Sequence, residues 1–114
     1  MKATLVYTAS FASEWKRFRL SDEDLRHLEL AIMQDPEGGA TMAGTGGVRK
    51  MRFAPPSMRT GKSGAFRVCY VWFAEFSTVL LLLMYPKNEK DNLSADDKAA
   101  CRLLVQRFRE GLGR

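Results

Sequence analysis

Six consecutive apolar residues, Val79-Leu80-Leu81-Leu82-Leu83-Met84, set the strongest constraint on how this chain folds. The run is far too short to cross a bilayer, which takes about 20 residues as a helix. With Thr78 and Tyr85 at its ends it reads as a strand, and an uninterrupted apolar strand belongs in the buried centre of a sheet. Two neighbouring segments read as its companions, Val48 to Phe53 and Ala65 to Ala74. Ala3 to Tyr7 reads as a further strand at the start of the chain.

The remaining patterns are helical. Ser10 is expected to cap a short helix whose Phe11, Trp15 and Phe18 recur at i, i+4 and i+7. Ser21 opens a second helix, with Asp24 three residues on in a capping-box position. Its Leu25, Leu28, Ala31 and Ile32 form one apolar stripe. Asp35-Pro36-Glu37-Gly38-Gly39 stops it, because proline cannot continue a helix and glycine tolerates turn geometry. Ser94, again with an aspartate three residues on (Asp97), caps a last helix, for which Leu103, Leu104, Phe108 and Leu112 supply the apolar side. The order is strand, two helices, three strands, one helix. It predicts an α+β fold, a small antiparallel (mixed) β-sheet with two N-terminal helices and one C-terminal helix. With 114 residues, a single domain over residues 1–114 is expected.

Several function classes fall away. Two cysteines, Cys69 and Cys101, form neither a disulfide framework nor a zinc spacing, and fit a reducing compartment. His27 is the single histidine, so a histidine-based zinc site or a Ser-His-Asp triad lacks parts. No metal and no cofactor is expected. The N-terminal Met1 to Tyr7 lacks a signal peptide's apolar stretch. A soluble, cytoplasmic protein without a membrane partner is expected. Thr60-Gly61-Lys62-Ser63 imitates the end of a phosphate-binding P-loop, but Pro56 stands where the motif needs glycine, and the segment joins two strands. Gly44-Thr45-Gly46-Gly47 precedes a strand, the wrong context for a dinucleotide fingerprint.

The charge is uneven. The chain carries a net +5, yet residues 1–47 hold five Lys/Arg against seven Asp/Glu. Residues 48–90 hold eight against two. Between 49 and 67 stand six basic residues (Arg49, Lys50, Arg52, Arg59, Lys62, Arg67) and no acid. Strand alternation puts Lys50 and Arg52 on one face, with Met51 and Phe53 on the other meeting the helices. A hairpin brings Arg67 near them. Converging cations suit phosphate, and Tyr70, Trp72 and Tyr85 are near enough in sequence to stack on bases. A one-sided sheet also exposes Lys and Arg as a matter of course. On residue types alone the block reads equally as a solvated face and as a nucleic-acid site, and Trp72 as a core ring.

One ordered series is more specific. Gly44-Thr45-Gly46-Gly47-Val48-Arg49-Lys50-Met51-Arg52-Phe53 is followed by Gly61-Lys62-Ser63-Gly64, by Arg67-Val68-Cys69-Tyr70 and by Tyr85-Pro86-Lys87-Asn88-Glu89-Lys90-Asp91-Asn92-Leu93-Ser94. This series resembles the RelE/HigB superfamily of bacterial toxin–antitoxin toxins, on the HigB side, from the Ser21 helix start to the last helix. The resemblance implies a fold related to microbial ribonucleases. It implies a toxin that enters the ribosomal A site and cuts messenger RNA there, with a cognate antitoxin that silences it. Carried over by position, Lys50 and Arg52 match the basic strand pair, Arg67 the arginine assigned to the scissile phosphate, and Lys87 the basic residue after the last strand; these are the catalytic candidates. Arg49 and Lys62 are expected to grip the RNA backbone. Tyr70 and Tyr85 are stacking or acid–base candidates, Tyr70 reading equally as a core ring. The stretch Asp91-Asn92-Leu93-Ser94 has no tyrosine and Asn88 replaces an arginine, relative to the best-studied branch.

The chemistry asks for such residues. RNA cleavage without a metal uses the 2′-hydroxyl as nucleophile on the adjacent phosphate. Negative charge gathers on the non-bridging oxygens, where fixed cations stabilise it. The 2′-hydroxyl loses a proton and the leaving 5′-oxygen gains one. With what the resemblance implies, a ribosome-dependent endoribonuclease is the first reading. A gyrase-poisoning toxin like the ParE branch is the second, since it needs no such cluster. A catalytically inactive binding protein of the same fold is the third.

Overall fold

The structure, a computed structural model, describes residues 2–58, 65–90 and 92–113. The elements follow in the order β1 (Thr4–Tyr7), α1 (Ala9–Arg17), α2 (Asp22–Gln34), β2 (Ala40–Thr41), β3 (Arg49–Phe53), β4 (Phe66–Phe73), β5 (Thr78–Pro86) and α3 (Ala95–Leu112). They build a five-stranded sheet in the order β1-β5-β4-β3-β2. β3, β4 and β5 form an antiparallel meander, while β1 lies parallel to β5, so the sheet is mixed. β5, the uninterrupted apolar strand, is flanked on both edges, as its composition demands.

Both faces of the sheet are covered. On one, α1 and α2 pack Phe11, Trp15, Leu28 and Ile32 against Phe53, Phe66, Val68, Tyr70, Val79 and Leu81. Aromatic rings stack in sequence along this layer, Phe11 on Trp15 at 5.7 Å and Trp15 on Phe53 at 6.2 Å between centroids. Each such large side chain contributes about 1.5–3 kcal/mol by leaving water. On the other face α3 lays Cys101 and Val105 on Val71, Phe73, Leu80 and Leu82, with Phe108 and Leu112 at the margin. The face opposite Met51 and Phe53 is thus partly roofed by α3, and the sheet is not one-sided.

Three local expectations are corrected. Thr8, not Ser10, caps α1: its Oγ1 accepts from the Phe11 N–H at 3.0 Å and donates to the Leu82 carbonyl at 2.6 Å. The buried stripe of α3 is Cys101 and Val105; Leu103 and Leu104 face solvent at 49% and 40% exposure. In α2, Ala31 is exposed while Leu28 and Ile32 carry the packing. Both expected capping boxes are present, at Ser21 with Asp24 and at Ser94 with Asp97.

The glycine-rich segment before β3 is a docked loop. Gly44, Gly46 and Gly47 have φ of 78°, 79° and 107°. Between them Thr45 is fully buried, donating to the Met42 carbonyl at 2.6 Å and accepting from the Val48 N–H at 3.1 Å. Arg102 of α3 reaches the Gly44 carbonyl at 3.1 Å. At Gly47 a Cβ would meet no atom within 4 Å, so a Gly47→Ala change carries a backbone cost alone. It is expected to lower unfolding free energy by about 1–2 kcal/mol in denaturant titrations. An unchanged midpoint would contradict this left-handed geometry.

Candidate functional site

Antiparallel pairing lines up basic residues from three strands. Arg52 of β3 pairs with Arg67 of β4, and Arg67 pairs with Tyr85 of β5. In the next row Lys50 pairs with Cys69, and Cys69 with Leu83. Their neighbours Met51, Phe53, Phe66 and Val68 belong to the α1–α2 core, so Lys50, Arg52 and Arg67 point to the α3 side. Arg52 is exposed there, and Lys50 and Arg67 are half-buried. Adjacent strands lie about 4.8 Å apart, and like charges directly opposite repel. An Arg52–Arg67 pair in register is therefore unfavourable in isolation and suits an anion between the two. Among the described residues Nη1 of Arg67 is buried without a hydrogen-bond partner. A buried guanidinium nitrogen left unpaired is costly, and a bound anion would satisfy it.

Tyr85 reaches this face because of a bulge. Cys69 pairs with Leu83 and Tyr70 with Leu81, which leaves Leu82 as the extra residue of β5. Leu80, before the bulge, and Leu82 itself face α3, and Tyr85 does so after it. The Tyr85 ring is 4% exposed, and the ammonium of Lys90 sits 5.2 Å from its centroid. Lys90 Nζ is also 3.2 Å from Asp97 Oδ2; Lys90 and then the Ser94 N–H hold that carboxyl below the usual carboxylate range. Lys50 Nζ lies 3.4 Å from Asn92 Oδ1, tying β3 to the approach of α3. Lys87 is exposed on the turn after β5, its own N–H donating to the Ala65 carbonyl at 3.4 Å. Sequence reasoning missed Lys90 and Asn92. The position of Lys90, five residues after Tyr85, was the signal available for it.

The structure does not bring every candidate to this face. Arg49 turns to the α2 side: Nη1 donates to the carbonyls of Glu37 at 2.7 Å and Gly39 at 2.9 Å. It braces β3 against the α2–β2 connection. Tyr70 is the core ring of its two readings, 1% exposed, with its hydroxyl donating to the Pro36 carbonyl at 3.0 Å and accepting from the Gly39 N–H at 3.2 Å. Trp72 packs against the α1–α2 core. Lys62 lies outside the described residues.

Burial, with Cys101 beside it, pushes the Cys69 thiol up to about 12 against the opposing pull of the Tyr85 hydroxyl, Lys50 and Lys90. It is a protonated core thiol, not a nucleophile. Among the described residues no three or more His, Cys, Asp or Glu side chains are grouped to hold a metal ion. None of the described helices is long and apolar enough to cross a membrane.

Comparison with known proteins agrees with this architecture. The family model described as the RelE toxin of the RelE / RelB toxin–antitoxin system matches residues 4–111. An E. coli RelE double mutant in the free state superposes with a TM-score of 0.56 at 16% identity, covering 90% of this chain and 98% of that one. The isolated E. coli RelE toxin gives 0.53 at 17% identity, covering 90% and 99%. A chain of the intact E. coli RelBE toxin–antitoxin complex gives 0.51 at 17% identity, covering 73% and 94%. These likenesses establish the shared α+β fold, and with a family model matched across nearly its whole length, the chain belongs to the RelE toxin family of toxin–antitoxin systems.

Proposed function

We propose that this toxin cleaves messenger RNA in the ribosomal A site and that a cognate antitoxin silences it. The observation that carries the reading is the Arg52–Arg67 pair, in register across two strands, with a buried guanidinium nitrogen of Arg67 left without a partner among the described residues. Such a site fits a phosphodiester. The intact RelBE complex among the structural neighbours supports a protein antitoxin as partner.

In this mechanism the 2′-hydroxyl of the RNA attacks the adjacent phosphorus. The P–O5′ bond breaks, leaving a 2′,3′-cyclic phosphate and a 5′-hydroxyl. Arg67 and Arg52 stabilise the charge on the non-bridging oxygens, and the forked guanidinium suits that geometry. Arginine does not give up its proton in water, so the proton transfers fall to Lys50 and Lys87. Lys50 is held toward the row by Asn92. Tyr85, buried under Lys90, shapes the floor of the site and does not stack on a base.

The test is a cell-free translation reaction dosed with the purified protein, with message 5′ ends mapped by primer extension. Cuts at ribosome-occupied codons that vanish without ribosomes are expected. Intact message with normal protein synthesis would sink the reading and send the protein to a gyrase supercoiling assay.

Phosphate contacts carry a salt signature. Lys50→Ala and Arg52→Ala are each expected to reduce the slope of log affinity against log salt for a single-stranded RNA oligonucleotide by about 0.7. Slopes equal to wild type in both variants would remove these side chains from the RNA interface.

A further inference from the structure

We infer that Arg17, on α1 and outside the cationic row, is a positioning residue that sets the turn carrying Lys87 and Lys90. The inference rests on the RNA-cleaving reading for what that turn does. The turn itself is short of internal support. It is closed by the N–H groups of Glu89 and Lys90 donating to the Pro86 carbonyl at 3.1 and 3.4 Å, and joined to the residue before β4 by the Lys87–Ala65 hydrogen bond. All four residues 87–90 are exposed. Long basic side chains on such a turn sample many positions unless something fixes the backbone beneath them.

Two ionic straps do so from opposite sides. On one, the Arg17 guanidinium forks onto the Glu89 carboxylate, Nη2 to Oε1 at 2.5 Å and Nη1 to Oε2 at 3.3 Å. Arg17 is itself held in place: Nη1 also meets Glu14 Oε2 at 2.9 Å, and its guanidinium carbon lies 4.6 Å from the centroid of the Phe18 ring. On the other side Lys90 meets Asp97, the capping-box aspartate of α3. Between the straps Lys90 is laid over Tyr85, the end of the Arg52–Arg67–Tyr85 row. The turn thus hangs between α1 and α3, with Glu89 and Lys90 fastened and Lys87 carried on the same backbone. A forked pair has a defined plane, which a single ammonium contact lacks.

The size of the effect follows from exposure. Arg17 and Glu89 have 51% and 43% of their side-chain surface open to water. Exposed ion pairs add little to global stability. They can still change how often a local turn is in place by about 3- to 5-fold.

The experiment compares wild type, Arg17→Glu, Glu89→Arg and the double charge swap, which keeps wild-type net charge. Hydrogen exchange of the Glu89 and Lys90 amides, thermal unfolding and ribosome-dependent cleavage are read on each. Both single variants should exchange about 3- to 5-fold faster at those amides, lose a similar factor in cleavage, and melt close to wild type. The double swap should return both exchange and cleavage toward wild type. Unchanged exchange in the single variants, or a double swap that restores neither, overturns the inference. If the variants exchange as expected but wild type leaves message intact, the RNA reading is overturned while the anchor stands.

Discussion

Arg67→Ala is expected to lower message cleavage by roughly 10²–10³-fold, the usual cost of removing one donor from a site that stabilises developing negative charge. The fold should survive. The side chain is half-buried, and its Nη1 has no hydrogen-bond partner among the described residues. It also stands directly opposite Arg52, a pairing of like charges that costs stability. Thermal unfolding should therefore match wild type or move slightly up, while primer extension shows the loss. Arg67→Lys should fall between the two, because it keeps the charge and loses the fork. A variant with a normal melting curve and full cleavage would place the scissile phosphate elsewhere.

Asp24→Ala is expected to destabilise the protein by about 3 kcal/mol, since it leaves several buried donors without an acceptor. Asp24 is 1% exposed and holds two parts of the chain at once. It accepts from the Ser21 N–H at 3.0 Å, completing the capping box of α2. It also accepts from the Ser57 N–H at 3.0 Å and the Ser57 hydroxyl at 2.5 Å, fixing the segment that leaves β3. Burial works against its charge, but these hydrogen bonds, the Ser57 hydroxyl foremost, outweigh it and keep the carboxyl below the usual carboxylate range. The sign of the pH effect follows. A carboxyl depressed in the native state stabilises fully above its unfolded pKa of about 3.9, and that stability is lost as pH falls through the lower native value. Asp24→Asn should remove this share of the acid sensitivity. Denaturant midpoints at pH 7 and across the acid range check both statements. An Asp24→Ala midpoint equal to wild type would mean the carboxylate is replaced by water at no cost.

Local chemistry was legible in the sequence; long-range register was not. The two capping boxes and the buried β5 strand depend on residues close in the chain, and the structure has them as read. Lys50 and Arg52 share a face for the same reason, since alternation is a local rule. The face of Tyr85 was not legible. Counting by twos from Leu80 puts it with Val79 and Leu81, and only the bulge at Leu82 turns it toward Arg67. The two-residue β2 is too short for any periodic signal. Arg49 looked like its basic neighbours, but its partners are backbone carbonyls of Glu37 and Gly39, which only the tertiary fold brings up. In α3, Leu103 and Leu104 drew the apolar side by hydrophobicity, whereas the packing selected the smaller Cys101 and Val105.

The parallel pairing of β1 with β5 also governs timing. The first strand finds its partner in β5, beyond both intervening helices and three other strands, and the Thr8 hydroxyl that starts α1 bonds a carbonyl 74 positions later. Contacts of such long sequence separation form slowly, because a large loop must close before they give anything back. β3 and β4 can meet before Tyr85 and the helix that roofs its face are made, because they precede both in the chain. The Arg52–Arg67–Tyr85 row is therefore complete only once β5 has joined the sheet. The connectivity of the sheet thus makes the cationic row a late product of folding, complete only when strands far apart in the chain have met.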